Sequence, residues 1–88
     1  MIPTVGRTVH YKLSAHDAER IDDLRKGDFA NGHGNQASEG DICAAVVVRT
    51  FGASTANLQV QLDGDDHYWA TSRMEGTEPG QWSWPPRA

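Results

Sequence analysis

Between Asn57 and Trp84 the chain spells out a β-unit that leaves little room for another fold. Asn57 to Leu62 alternates, so Leu58, Val60 and Leu62 point one way and Asn57, Gln59 and Gln61 the other. Asp63-Gly64 follows, a dipeptide suited to a tight hairpin turn. His67 to Ser72 then reads as an aromatic strand, with Tyr68 and Ala70 opposite Trp69 and Thr71. A second turn over Gly76 to Gly80 leads into a short strand, Gln81 to Trp84, which Pro85-Pro86 ends because proline cannot donate to a ladder. All three tryptophans fall in this stretch. Trp couples a large apolar area to one N–H that needs an acceptor, so the cluster is either the floor of a core or a binding surface.

Upstream, Thr8 to Leu13 predicts a first strand with Val9, Tyr11 and Leu13 on one face. Ser14-x-x-Asp17 has the form of a capping box with Asp in place of Glu, and the spacing beyond it predicts a helix over 15–26. Ala18, Ile21, Leu24 and Arg25 share its inner face, while Asp17, Glu19, Asp22 and Asp23 are expected in solvent. Gly27 is the expected stop. Residues 27–40 hold four glycines and two asparagines and predict a flexible loop whose one apolar anchor is Phe29. Ile42 to Thr50 is the second strand, apolar on both faces at Val46-Val47-Val48, as expected where a helix or a partner covers the outer side. The fold class is therefore mainly β with one helix inserted between strands 1 and 2, in a single domain over 1–88. Five short strands ordered as a meander suit a small antiparallel SH3-like or Tudor-like barrel. A twisted sheet crossed by one helix is the competing layout.

At 88 residues such a chain buries only about 60–65% of its unfolded surface, so oligomerisation or ligand binding would add useful stability. The net charge of -4 counts against a general nucleic-acid binder but leaves room for a small anion held by local arginines. One cysteine precludes an internal disulfide. The N-terminal residues lack the apolar core of a signal peptide, and the longest apolar run, Ala44 to Val48, is far below the ~20 residues of a membrane span. A soluble, cytoplasmic protein with no membrane contact is the expectation.

Few residues point to chemistry. Cys43, at a strand start leading into the core, is expected to be a buried structural thiol. His10, His16, His33 and His67 show no metal-ligand spacing, and Asp63, Asp65 and Asp66 lack the bidentate Glu of a calcium loop. No metal, no cofactor and no catalytic residue are expected. Arg7, Arg49, Arg73 and Arg87 each adjoin a strand end, so they are placed to gather at one rim, and Arg is well shaped for phosphate. Trp69, Trp82 and Trp84 are too many to bury together with Tyr11, Tyr68, Phe29 and Phe51 in so small a core. The surplus would form a partner face or a stacking platform.

Gly6 to Tyr11, Ala45 to Gly52, Asn57 to Ser72 and Pro79 to Pro85 resemble a family of small uncharacterised proteins of actinobacteria, their prophages and their phages. The resemblance spans nearly the whole chain, with 27–40 its variable part, and brings no catalytic residue with it. It implies a phage setting, hence the host-cell cytoplasm, and one of three roles: virion part, host-takeover binder or anti-defence protein that sequesters a nucleotide signal. The expected function is thus a non-enzymatic, homo-oligomeric module for a nucleotide-like ligand. Trp69, Trp82 or Trp84 would stack on the base, and Arg49, Arg73 or Arg87 would pair with phosphate. A protein-interaction or minor structural module working through the same exposed rings is the alternative. An enzyme based on Cys43 or a histidine, and a cold-shock-like single-strand binder, are the remaining readings.

Overall fold

Alternation decides which side chains the sheet hides. The computed structural model describes residues 2–28 and 34–86. Within them β1 (Thr8–Lys12), α1 (Ala15–Asp28), β2 (Ile42–Thr50), β3 (Thr55–Gln61), β4 (His67–Met74) and β5 (Trp82–Ser83) follow in chain order. The strands form one antiparallel sheet in the order β4-β3-β2-β1-β5. Val9 and Tyr11, Ala45 and Val47, Ala56, Leu58 and Val60, Tyr68 and Ala70, and Trp82 all turn to one side and build the core. At one end the two edge strands meet: Glu75 bridges Trp82, and the Gly76 N–H donates to the Trp82 carbonyl at 2.8 Å. That contact curls the sheet into a half-barrel. The mainly β architecture with five antiparallel strands agrees with the sequence. β4 runs two residues further than expected, to Met74, and its extension carries Arg73.

Two bulges interrupt the regular alternation. Between β2 and β3 the register shifts at Val47/Arg49, and between β3 and β4 at Ala56/Leu58. In the second, Leu58 pairs with Ala70 while Ala56 pairs with Arg73, so β4 spends three steps against two. The extra residue sits at Thr71-Ser72, where Ser72 takes a φ of 56°. Asn57 stabilises it: its Oδ1 accepts the Ser72 N–H at 2.7 Å and the Thr71 hydroxyl at 3.0 Å. Because side chains alternate with period two, this one inserted residue reverses the parity of β4 beyond it. Arg73 therefore faces inward.

The helix meets the core along a stripe that differs from the predicted one. The capping box forms as expected: the Asp17 N–H donates to Ser14 Oγ and the Ser14 N–H to Asp17 Oδ2, both at 3.0 Å. Yet Asp17, expected in solvent, is fully buried, and Leu24, expected inside, is 52% exposed. The inward line is Asp17, Ile21 and Arg25, spaced i, i+4, i+8, with charged residues at two of its three positions. A hydrophobic pattern search cannot see such a stripe. The helix also runs through Gly27 to Asp28 instead of stopping at 26.

Beyond the helix, Phe29 and His33 lie outside the described residues. From Gly34 onward the connection is tied to the β3–β4 turn: Gly34 bridges Gly64, and the Asn35 N–H donates to the Asp63 carbonyl at 2.8 Å. Arg25 supports both sides, with Nε 2.9 Å from Asp66 Oδ2 and Nη1 donating to the Asn35 carbonyl at 2.8 Å. A Cβ at Gly34 would lie 2.0 Å from the Asp63 carbonyl oxygen. Gly34→Ala is accordingly expected to lower stability by about 1–3 kcal/mol through forced backbone separation. An unchanged urea midpoint would show that this approach is not required.

Candidate functional site

The sequence-predicted site residues divide into two groups. Trp69 sits at mid-strand on β4, pointing to the outer face of the sheet, and is 55% exposed. Gln59 lies beside it on β3 and Val46 beyond on β2. Arg49 is exposed on that same outer side, paired across the ladder with Asn57, and its guanidinium lies 5.2 Å from the Phe51 ring centroid. Trp82 is fully buried, and its indole N–H donates to the carbonyls of Ser54 at 3.1 Å and Arg73 at 3.2 Å. Trp84 packs edge-on against it, centroids 5.4 Å apart at 89°, as the shared face of a Trp-x-Trp strand requires. Arg73, Trp82 and Trp84 thus gather on the inner side, while Trp69 and Arg49 remain outside. Arg87 lies outside the described residues. Antiparallel alternation does bring the start of β1 and the ends of β2 and β4, with Arg7, Arg49 and Arg73, to one end of the sheet.

Arg73 is committed to Asp17. Its Nη2 lies 3.0 Å from Asp17 Oδ1, and its guanidinium is 5.8 Å from the Tyr11 ring centroid. The same carboxylate accepts hydrogen bonds from the Tyr11 hydroxyl, from the Tyr68 hydroxyl at 2.9 Å and from the Ser14 N–H. Four donors from β1, β4 and the helix cap converge on one group with no solvent exposure. Burial alone would raise the Asp17 pKa. The hydrogen bonds from Tyr11, Ser14 and Tyr68 and the charge of Arg73 outweigh it and hold the carboxyl below its ordinary value of 3.8. Burial, and then the hydrogen bond to Asp17, push the Tyr11 and Tyr68 phenols upward. Fully coordinated and sealed, this carboxylate is built to join helix to sheet; it has no open side for a substrate.

The shifts bound the pH range of the fold. Above the ordinary carboxylate value Asp17 is ionised folded and unfolded, and its contribution is complete. As pH falls toward the lower folded value the unfolded chain takes up the proton first, and that contribution is lost. At the alkaline end the unfolded phenols ionise first, so stability falls as pH rises above about 10. Thermal midpoints across pH are expected to show a plateau with both limbs, the acid limb shallower in Asp17→Asn than in the parent. Identical acid limbs would remove Asp17 from this role.

A cavity of about 280 Å³ lies at the other end of β2, lined among others by Leu13, Leu62, Ile42, Cys43, Asp41 and Asp63. Burial, and then the charges of Asp41 and Asp63, push the Cys43 thiol up, toward the unreactive form. Asp63 accepts the Asn35 side-chain amide at 2.9 Å, and Asp66 holds Arg25, so the turn carboxylates serve protein contacts. Among the described residues no group of three or more His, Cys, Asp or Glu is placed to hold a metal ion, and no helix is long and apolar enough to cross a membrane.

Sequence reasoning did not identify Asp17 as the hub. The available signal was the pair Tyr11 and Tyr68, both at inward strand positions and both needing a buried acceptor. Charge placement was also legible: among the described residues no strand contains an Asp or Glu, although the chain has 12 acids. Compared with family models, curated proteins and solved structures, the chain finds no match.

Proposed function

We propose that this chain is a non-enzymatic binding module with an SH3-like barrel, which docks an acidic protein segment on the outer face of its sheet around Trp69. The carrying observation is the exposure of Trp69 at the middle of a strand, on the face that α1 leaves uncovered. An exposed ring there contributes nothing to the core, and it marks an interaction site where further apolar side chains are exposed on the same face. Val48 and Ile42 are exposed as well, on the strand whose apolar outer side calls for a cover. The charge of the face fits an acidic partner. Its outward residues include Arg49 and Trp69 and no carboxylate, and the described acids lie on α1 and in the turns. The strand order β4-β3-β2-β1-β5 in a curled antiparallel sheet supports the SH3-like reading, a scaffold suited to peptide recognition. The engaged state of Asp17 and the raised thiol of Cys43 support a non-enzymatic role.

A nucleotide-like anion is the second reading, favoured by Arg49 and Trp69 sharing one face. It fits the phage setting that the sequence resemblance suggests, but a flat face encloses a small ligand less well than a groove does.

The test is binding of labelled synthetic peptides, acidic against basic at equal apolar content, with a nucleotide panel followed by native mass spectrometry. Acidic peptides are expected to bind in a salt-sensitive way, and Trp69→Ala to weaken binding at least about tenfold. The same variant is expected to change stability by no more than about 0.5 kcal/mol. Full affinity in Trp69→Ala would move the site elsewhere. Nucleotide mass gained without peptide binding would favour the second reading.

A further inference from the structure

The cavity and the Arg49–Phe51 turn stand at opposite ends of β2 and have complementary chemistry. The cavity has apolar walls from Leu13, Leu62 and Cys43 and a polar side to which Asp41, Asp63 and Arg25 contribute. Among the described residues neither carboxylate has an ion-pair partner: Asp63 accepts the Asn35 side-chain amide and Asp41 the Ser38 N–H, both neutral donors at 2.9 Å, whereas Arg25 on the same wall is already neutralised by Asp66. Such a hollow favours an occupant that is apolar at its tip and cationic at its edge. The turn after β2 presents that combination: Phe51 is 45% exposed and carries the Arg49 guanidinium over its ring. Cys43 and Phe51 are separated by eight residues of extended chain, roughly 25 Å. A molecule therefore cannot fill its own cavity with its own Phe51.

We infer that copies of this chain associate head to tail, the Phe51 ring of one entering the cavity of the next and its Arg49 settling beside Asp41 and Asp63. The contact is heterologous: each copy contributes a knob at one end and a hollow at the other, so association continues into an open series or closes into a ring. It does not use Trp69; Arg49 is the one residue it shares with that face, so Phe51→Ala and the Asp41→Asn/Asp63→Asn pair are the variants that separate the two readings. The apolar insertion supplies burial, and the charge pairing sets orientation and makes assembly sensitive to salt.

Sedimentation velocity of the full chain over a concentration series is the test. The parent is expected to form dimers and larger species at low salt and to dissociate at high salt. Phe51→Ala and Arg49→Glu, both exposed positions, are expected to raise the dissociation constant at least about tenfold with the fold intact by circular dichroism. The Asp41→Asn/Asp63→Asn double variant is expected to do the same. A mixture of Phe51→Ala with that double variant should give a capped heterodimer and nothing larger, because each lacks only one end. A parent that stays monomeric throughout overturns the proposal, as does assembly unchanged in Phe51→Ala. Assembly abolished by Trp69→Ala alone would assign self-association to the outer face instead.

Discussion

Asp17→Ala is expected to destabilise the fold by about 3–5 kcal/mol, the range for removing one partner of a buried ion pair. The loss comes less from the missing carboxylate than from what it leaves behind. Tyr11 and Tyr68 would keep buried hydroxyls without an acceptor, and Arg73 an unpaired charge only 26% exposed. The helix would also lose the reciprocal half of its capping box. Domains of ordinary stability hold about 5–15 kcal/mol in total, so this one substitution removes much of the margin. Urea denaturation at neutral pH reads the effect directly. Asp17→Asn keeps the shape and one acceptor oxygen and is expected to fall between parent and Asp17→Ala. A loss under about 1 kcal/mol in Asp17→Ala, the size expected of a simple exposed cap, would contradict the hub.

Trp82→Ala is expected to cost a similar amount, about 3–5 kcal/mol, through the cavity it opens in the core. It also frees the carbonyls of Ser54 and Arg73 from the indole N–H and removes the ring against which Trp84 packs. The indole bond to the Arg73 carbonyl of β4 is a side-chain link between the two edge strands, beside the backbone contacts of Trp82 with Glu75 and Gly76, which the substitution keeps. Trp82→Phe restores most of the volume but not the N–H donor, so it should recover most but not all of the loss. Thermal melts of both variants separate packing from hydrogen bonding. Equal stability of Trp82→Phe and parent would show that the two indole bonds contribute nothing net.

The strands were legible because their chemistry is local. Leu58, Val60 and Leu62 alternate with polar residues, and Asp63-Gly64 marks the turn, so β3 and β4 follow from neighbouring residues alone. Ile42 to Thr50 was bounded correctly by Gly40-Asp41 before it and Phe51-Gly52 after it. The site was less legible, because its residues are placed by long-range register. Arg73 faces Asp17 only after the Thr71-Ser72 bulge reverses the parity of β4, and that bulge rests on Asn57 of another strand. Asp17 reads as an exposed cap until Tyr11 and Tyr68 are seen to converge on it. Of the tryptophans, the alternation of β4 already set Trp69 opposite Tyr68 and Ala70. It could not say which face would be inside.

The aromatic cluster divides: Trp82 is buried and holds the fold together, and Trp69 stays exposed on the outer face, where the proposed partner would dock. Hydrogen exchange of the three indole N–H groups, followed by nitrogen-15 NMR on the intact chain, tests it most directly. The indole of Trp82, bonded to Ser54 and Arg73, is expected to exchange only with opening of the fold, while that of Trp69 exchanges at a solvent rate. A protected Trp69 in the free chain, or a rapidly exchanging Trp82, would contradict the account.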